Sequence, residues 1–93
     1  MQNNILDILE RNPIIPVVSI HEESEIDKVY SALSAKGITC IEITLRTPYA
    51  WEAIAEFKKR YGKSMDVGVG TVISVQQINK CVDMGVAFMV SPG

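Results

Sequence analysis

Histidine, tryptophan and cysteine are nearly missing from this chain, which holds one histidine, His21, one tryptophan, Trp51, and two cysteines, Cys40 and Cys81. A single imidazole and no CxxC pair leave too few ligands for a zinc site, and two thiols so far apart do not make a disulfide framework. Both are expected as buried free thiols. Cys40 also opens its strand at the end opposite to where α/β chemistry sits, so no nucleophilic role is assigned to it. There is no basic run and no basic helical stripe, and the net charge is only -2, so neither nucleic acid nor an acidic membrane surface is favoured as a partner. No apolar stretch approaches the roughly 20 residues of a membrane span. Met1 to Glu10 lacks the basic and apolar regions of a secretion signal. A cytoplasmic protein acting on a small molecule is the expectation.

What is present is apolar residue in ordered blocks. Hydrophobic residues make up 47% of the 93, ample for the core of one small domain or of a piece of a larger one. Residues 3–11 have the spacing of a short amphipathic helix, with Pro13 just beyond its end. Ile14 to Ile20 is almost wholly apolar and β-branched, as in a strand buried on both faces of a parallel sheet, although Pro16 belongs near a strand start. Ser24 then suits the N-cap of a helix running to about Lys36, with Ile26, Val29, Tyr30 and Leu33 on one face and Gly37 as its left-handed stop. A second strand covers 40–46. Thr47 is placed to cap a helix with Pro48 at its first position, an apolar stripe of Ala50, Ile54, Phe57 and Tyr61, and Gly62 as its stop. A third strand covers 66–70. Ser74 with Gln77 three residues later is a capping box for a helix lined by Val75, Ile78 and Val82 and closed by Gly85. A fourth strand covers 86–90.

Strands beginning near residues 14, 40, 66 and 86 leave room for one crossover helix between each pair, which makes the sheet parallel and each unit right-handed. Two α/β architectures fit: a small open, doubly wound sheet, or the first half of a (β/α)8 TIM barrel preceded by a short N-terminal helix. Every strand reads as buried and the last one runs into Ser91-Pro92-Gly93 without a covering helix. Both features favour the half barrel.

The second strand carries a contradiction. In Ile41-Glu42-Ile43-Thr44-Leu45-Arg46-Thr47 the residues alternate faces, with Ile41, Ile43 and Leu45 on one and Glu42, Thr44 and Arg46 on the other. If helices cover the apolar face, two opposite charges point into an interior, where an unpaired charge is costly or shifts its pKa. Ligands of such folds sit at the carboxyl ends of the strands, which are the neighbourhoods of His21, Arg46, Thr71 and Ser91. Arg46 offers a planar fork suited to a carboxylate, and Thr71 a hydroxyl and a backbone amide at the next strand end. Gly68 and Gly70 leave a face of the third strand bare beside Glu42, a space expected to admit a substrate. His21 and the run Lys58-Lys59-Arg60 are read as solvated, and Trp51 as packing or a subunit contact.

The order Ile41-Glu42-Ile43-Thr44-Leu45-Arg46-Thr47, Val67-Gly68-Val69-Gly70-Thr71-Val72 and Ser91-Pro92-Gly93, with Pro16-Val17-Val18 before it, resembles the bifunctional 2-keto-3-deoxy-6-phosphogluconate (KDPG) and 4-hydroxy-2-oxoglutarate (KHG) aldolases. The likeness spans the whole chain, 1–93, but only about the first half of that family's fold. It implies a class I aldolase on a TIM barrel, usually trimeric, that needs no cofactor or metal. Such an enzyme forms a Schiff base between a lysine and a keto acid and releases pyruvate with glyceraldehyde 3-phosphate or glyoxylate. Carried over by motif, Glu42 would be the general acid and base and Arg46 and Thr71 would hold the pyruvate carboxylate, with Ser91 and Pro92 as further candidates. The chain departs from the family at the nucleophile. Lys28, Lys36, Lys58, Lys59, Lys63 and Lys80 all fall on helices or on the loop before the third strand, so this portion alone is expected to be inactive. The alternative from another class is a non-catalytic α/β binding or scaffold domain for a small carboxylate or phosphate.

Overall fold

The computed structural model describes residues 14–92, so the expected helix at 3–11 lies outside the described residues. The elements follow in the order β1 (Val17–Val18), α1 (Ser24–Ser34), β2 (Cys40–Thr44), α2 (Ala50–Tyr61), β3 (Asp66–Gly70), α3 (Val75–Met84) and β4 (Phe88–Val90). All neighbours pair in parallel and the sheet order is β1-β2-β3-β4. That order decides between the two architectures. A doubly wound sheet reverses its strand order at a switch point, whereas right-handed crossovers that step always in one direction keep every helix on the same face. The fold is half of an α/β barrel.

The helix-facing side of the sheet is the core. Ile41 and Ile43 of β2 and Val67 and Val69 of β3 meet Ile26 of α1, Ala53, Ile54 and Phe57 of α2 and Cys81 of α3. Full burial of such aliphatic and aromatic side chains contributes about 1.5–3 kcal/mol each. Across the sheet, Cys40 and Phe88 form a separate small cluster with Ile15 and Ala87. Both cysteines are buried, as expected.

Helix ends agree with the sequence where backbone geometry governs and depart from it where a side chain was given the task. Gly37 and Gly85 have φ of 74° and 68°. In each case the next residue's amide reaches back to the last helical turn, Ile38 to the Leu33 carbonyl and Val86 to that of Cys81. Ser74 accepts from the Gln77 amide at 3.1 Å. The Gln77 side chain returns the bond one residue early, to the Ile73 amide at 2.7 Å. Ser24 is not a cap: it is the first helical residue, and Glu23 precedes it in helical conformation without a side-chain cap. Thr47 does not cap α2 either, since the helix begins at Ala50 after a turn through Pro48. Its hydroxyl donates instead to the Ile20 carbonyl at 2.7 Å, tying the loop after β2 to the loop after β1. Gly62 stops α2 with φ of -61°, so no left-handed turn is needed there.

The expectation of uniformly buried strands is corrected at both edges. β1 is two residues long rather than the expected 14–20, and Val17 is 62% exposed, because β1 pairs only with β2 among the described residues. Pro16 still contributes its carbonyl, which accepts from the Glu42 amide at 2.9 Å. β4 starts at Phe88 rather than 86, and Met89 and Val90 are exposed. Val75, Ile78 and Val82, read as the core stripe of α3, are exposed as well; the face of α3 that packs inward carries Cys81 and Met84.

Arg60 corrects the reading of Lys58-Lys59-Arg60 as a solvated face. Its guanidinium bonds Glu56 at 2.6 Å, Asp27 at 3.1 Å and Glu23, joining α2 to α1. Tyr61 donates to Asp27 and stacks on Tyr30 with ring centroids 3.7 Å apart. The Tyr61 hydroxyl and then Arg60 hold the Asp27 carboxyl below its ordinary range. Trp51 is half-buried against the core, with the Lys80 ammonium 4.6 Å from its ring centre.

Candidate functional site at the carboxyl ends of the strands

β2 stops at Thr44 rather than at 46, and this sharpens the site. Cys40, Glu42 and Thr44 share the face turned away from the helices, while Leu45 and Arg46 lie in the turn that follows. Thr44 is 2% exposed and its hydroxyl is 2.7 Å from that of Ser19. A buried hydroxyl so paired costs little. Glu42, half-buried, has no such partner among the described residues. Burial raises its carboxyl pKa, and the Arg46 charge opposes the rise.

Arg46 and Thr71 are brought together as expected. Arg46 leaves the end of β2 and its Nε donates to the Thr71 hydroxyl at 3.3 Å, leaving the two terminal nitrogens of the exposed guanidinium toward solvent. Thr71 follows β3 directly and has φ of 64°, the one non-glycine residue with positive φ among those described. For a β-branched residue that conformation is strained, and such strain collects where a site fixes the backbone.

The bare face of β3 is not vacant, which corrects the expectation of an open space beside Glu42. A Cβ on Gly68 would run into the ring of Phe88, and one on Gly70 into the carboxylate of Glu42. Each glycine admits a neighbour's side chain against the backbone. Sequence reasoning noticed the glycines and missed their occupants. Register accounts for one of them, since Gly68 pairs with Phe88 across adjacent parallel strands, whereas Glu42 also pairs with Gly68 yet covers Gly70.

Ser91 and Pro92 are exposed just beyond β4, at the same end of the sheet. His21 is exposed, as read; its amide donates to the Glu25 carboxylate at 2.6 Å and holds that group below its ordinary pKa. All six lysines lie on helices or on the turns after α1 and α2, none at a strand's carboxyl end. Among the described residues no group of three His, Cys, Asp or Glu side chains is placed to hold a metal ion. No helix among them is long and apolar enough to cross a membrane. An open groove of about 340 Å³ lies between α2 and α3, lined by Ala55, Lys58, Lys59 and Met84, away from the strand ends.

Fold and strand-end chemistry define the class, an α/β barrel with a carboxyl, a guanidinium and a hydroxyl gathered at the carboxyl ends of adjacent strands. The chain belongs to the KDPG and KHG aldolase family, whose profile matches residues 5–93. It is 38% identical over 89 residues to 2-dehydro-3-deoxy-phosphogluconate aldolase of Treponema pallidum, covering 96% of this chain and 42% of that protein. Among solved structures, the 2-keto-3-deoxy-6-phosphogluconate aldolase of Zymomonas mobilis superposes with a TM-score of 0.86 at 35% identity, over 98% of this chain and 43% of the other. KDPG aldolase of Legionella pneumophila, with pyruvate captured at low pH as a covalent carbinolamine, gives 0.84 at 36% identity, over 92% and 41%. The chain thus spans about two-fifths of the length of the relatives it matches.

Proposed function

We propose that residues 1–93 are the amino-terminal half of a class I keto-acid aldolase domain, cleaving KDPG to pyruvate and glyceraldehyde 3-phosphate, 4-hydroxy-2-oxoglutarate to pyruvate and glyoxylate, or both. The observation that carries this reading is a half-buried Glu42 without a hydrogen-bond donor, one strand-end away from an Arg46 and Thr71 pair with free donors. In this scheme the substrate carboxylate meets the Arg46 fork and the Thr71 hydroxyl and amide. A lysine amine attacks the keto carbon and gives a carbinolamine. Glu42, protonated, gives its proton to the departing hydroxyl, which leaves as water. Glu42, now ionised, takes the proton of the substrate's C4 hydroxyl as the C3–C4 bond breaks, which releases the aldehyde and leaves an enamine; the carboxyl returns that proton to C3 to make the pyruvate methyl, and water hydrolyses the imine and frees the lysine. A carboxyl whose pKa is raised by burial takes up and gives back a proton more readily at the pH of catalysis than an ordinary glutamate, which suits these transfers. The carbinolamine captured in the Legionella relative supports the Schiff-base route. The lysine is assigned to the part of the family's length that this chain does not span, the assembly to a homotrimer and the location to the cytoplasm.

Borohydride added with pyruvate tests the route by mass spectrometry. The protein carrying the family's full length is expected to gain one reduced pyruvate adduct, and the 93-residue chain none; an adduct on the 93 residues would overturn the placement of the lysine. In the full-length protein, Glu42→Gln is expected to lower kcat by about 10²–10⁴-fold with pyruvate binding little changed. Arg46→Lys is expected chiefly to weaken pyruvate binding. The opposite split would exchange the two roles.

A further inference from the structure

β3 presents two glycines to the inner face of the half barrel, and each is covered from a different side. Phe88, on β4, is the register partner of Gly68 and lays its ring across it. Glu42, on β2, is also a register partner of Gly68, yet its carboxylate does not lie there. It reaches one step further along the strands and covers Gly70. Gly70 is the last residue of β3, so that step carries the carboxylate to the carboxyl end of the sheet, next to Thr71.

We propose that Phe88 is a positioning residue: its ring occupies the space over Gly68 and so directs the Glu42 side chain forward, over Gly70, to the strand ends where Arg46 and Thr71 meet. The inference rests on the reading of Glu42 as the proton-transfer group but not on the identity of the substrate. Sterics supply the reason. Glycine backbone is the most open surface on a strand, and without the ring a carboxylate on β2 has two such surfaces within reach rather than one. The ring is 8% exposed and cannot turn outward without leaving a cavity beside Cys40. It also keeps water from the inner side of the carboxyl, consistent with burial as the main cause of the raised Glu42 pKa. Among the described residues, the charged and titratable groups on this face are few. Arg46 opposes the rise, while Cys40 and Asp66 sit at the amino-terminal end of the same face, one register step behind Glu42.

The 93-residue chain permits a direct test by NMR. In the parent, NOEs are expected from the Glu42 γ-protons to the Gly70 α-protons. In Phe88→Ala they are expected to shift toward Gly68, with the Glu42 carboxyl titrating closer to the ordinary glutamate range. Phe88→Leu, which keeps an apolar side chain of shorter reach, covers the case in which the alanine variant does not fold; a partial shift in the same direction is expected. Glu42 remaining over Gly70 in the folded variant overturns the inference. In the full-length protein, Phe88→Leu is expected to lower kcat for exchange of the pyruvate methyl protons by roughly tenfold or more, with KM within about twofold and with a displaced pH profile. If the parent does not exchange those protons, the aldolase reading fails. If it does and Phe88→Leu leaves kcat and the pH profile unchanged, the positioning role alone fails.

Discussion

Glu42 is held where its neutral form is favoured, and that has a consequence for stability as well as for chemistry. A carboxyl whose pKa is higher folded than unfolded contributes nothing unfavourable below the ordinary glutamate range, and stability is lost as pH rises through the folded value. Glu42→Gln removes the charge but keeps the shape. The variant is therefore expected to be more resistant to urea than the parent at neutral pH, with the gap closing as pH falls below the ordinary glutamate range. Equal midpoints at both pH values would show that Glu42 is better solvated than its position implies. Pyruvate is expected to raise the Glu42 pKa further, because a carboxylate on Arg46 cancels the one charge opposing it. Thr71 stores strain of a different kind. Thr71→Gly relieves a positive φ at a β-branched residue, so the unfolding free energy is expected to rise by up to about 1 kcal/mol while the hydroxyl that meets Arg46 is lost. Urea titration of the chain reads the first effect. Pyruvate affinity of the full-length protein, expected to weaken, reads the second.

At the level of the element, the strands and helices were legible because their period and stop signals are local. Asp66–Gly70 agrees with the strand expected at 66–70, and Gly37 and Gly85 take the left-handed turns their sequence positions imply. Caps were less legible, because a hydroxyl near a helix start has several possible partners. Thr47 serves the Ile20 carbonyl, an acceptor in the loop that follows β1, and no reading of residues 44–50 contains it. Burial on α3 failed for a similar reason: Val75, Ile78 and Val82 form a good apolar stripe, but what meets a stripe is a property of the neighbouring elements. The site divides in the same way. The pairing of Arg46 with Thr71 followed from two adjacent strand ends, whereas the occupants of Gly68 and Gly70 depended on which rotamers the inner face allows. Ser74 is the local signal that held most fully. Ser74→Ala is expected to cost about 1 kcal/mol in urea unfolding. Gln77→Ala is expected to cost less, since its side chain bonds the amide before the cap rather than the cap itself. A larger loss for Gln77→Ala would mean that the exposed Ile73 turn, not the cap, sets the start of α3.

For the whole molecule, the consequence of a one-directional sheet order is that β1 and β4 stand at opposite edges with no third strand on their outer sides among the described residues. Both edges bear exposed apolar side chains, Ile14 and Val17 on one and Met89 and Val90 on the other, and neither edge strand carries a lysine or other charge to discourage pairing. Open edges of this kind invite further strands, and the exposed stripe on α3 adds apolar area without charge between its members. The 93-residue chain is accordingly expected to associate with itself at micromolar to millimolar concentration, rising above monomer mass in sedimentation equilibrium. Charge placed on the edges separates the two sources. Val17→Lys together with Met89→Lys is expected to return the chain to a monomer if strand edges drive the association, because both side chains are already exposed and the core residues Ile41, Ile43 and Phe57 are untouched. Val75→Lys with Val82→Lys is expected to do so only if the helix stripe drives it. A chain that stays monomeric without either pair, at concentrations where the parent's circular dichroism shows it folded, would mean that exposed strand edges and the helix stripe do not suffice to drive association.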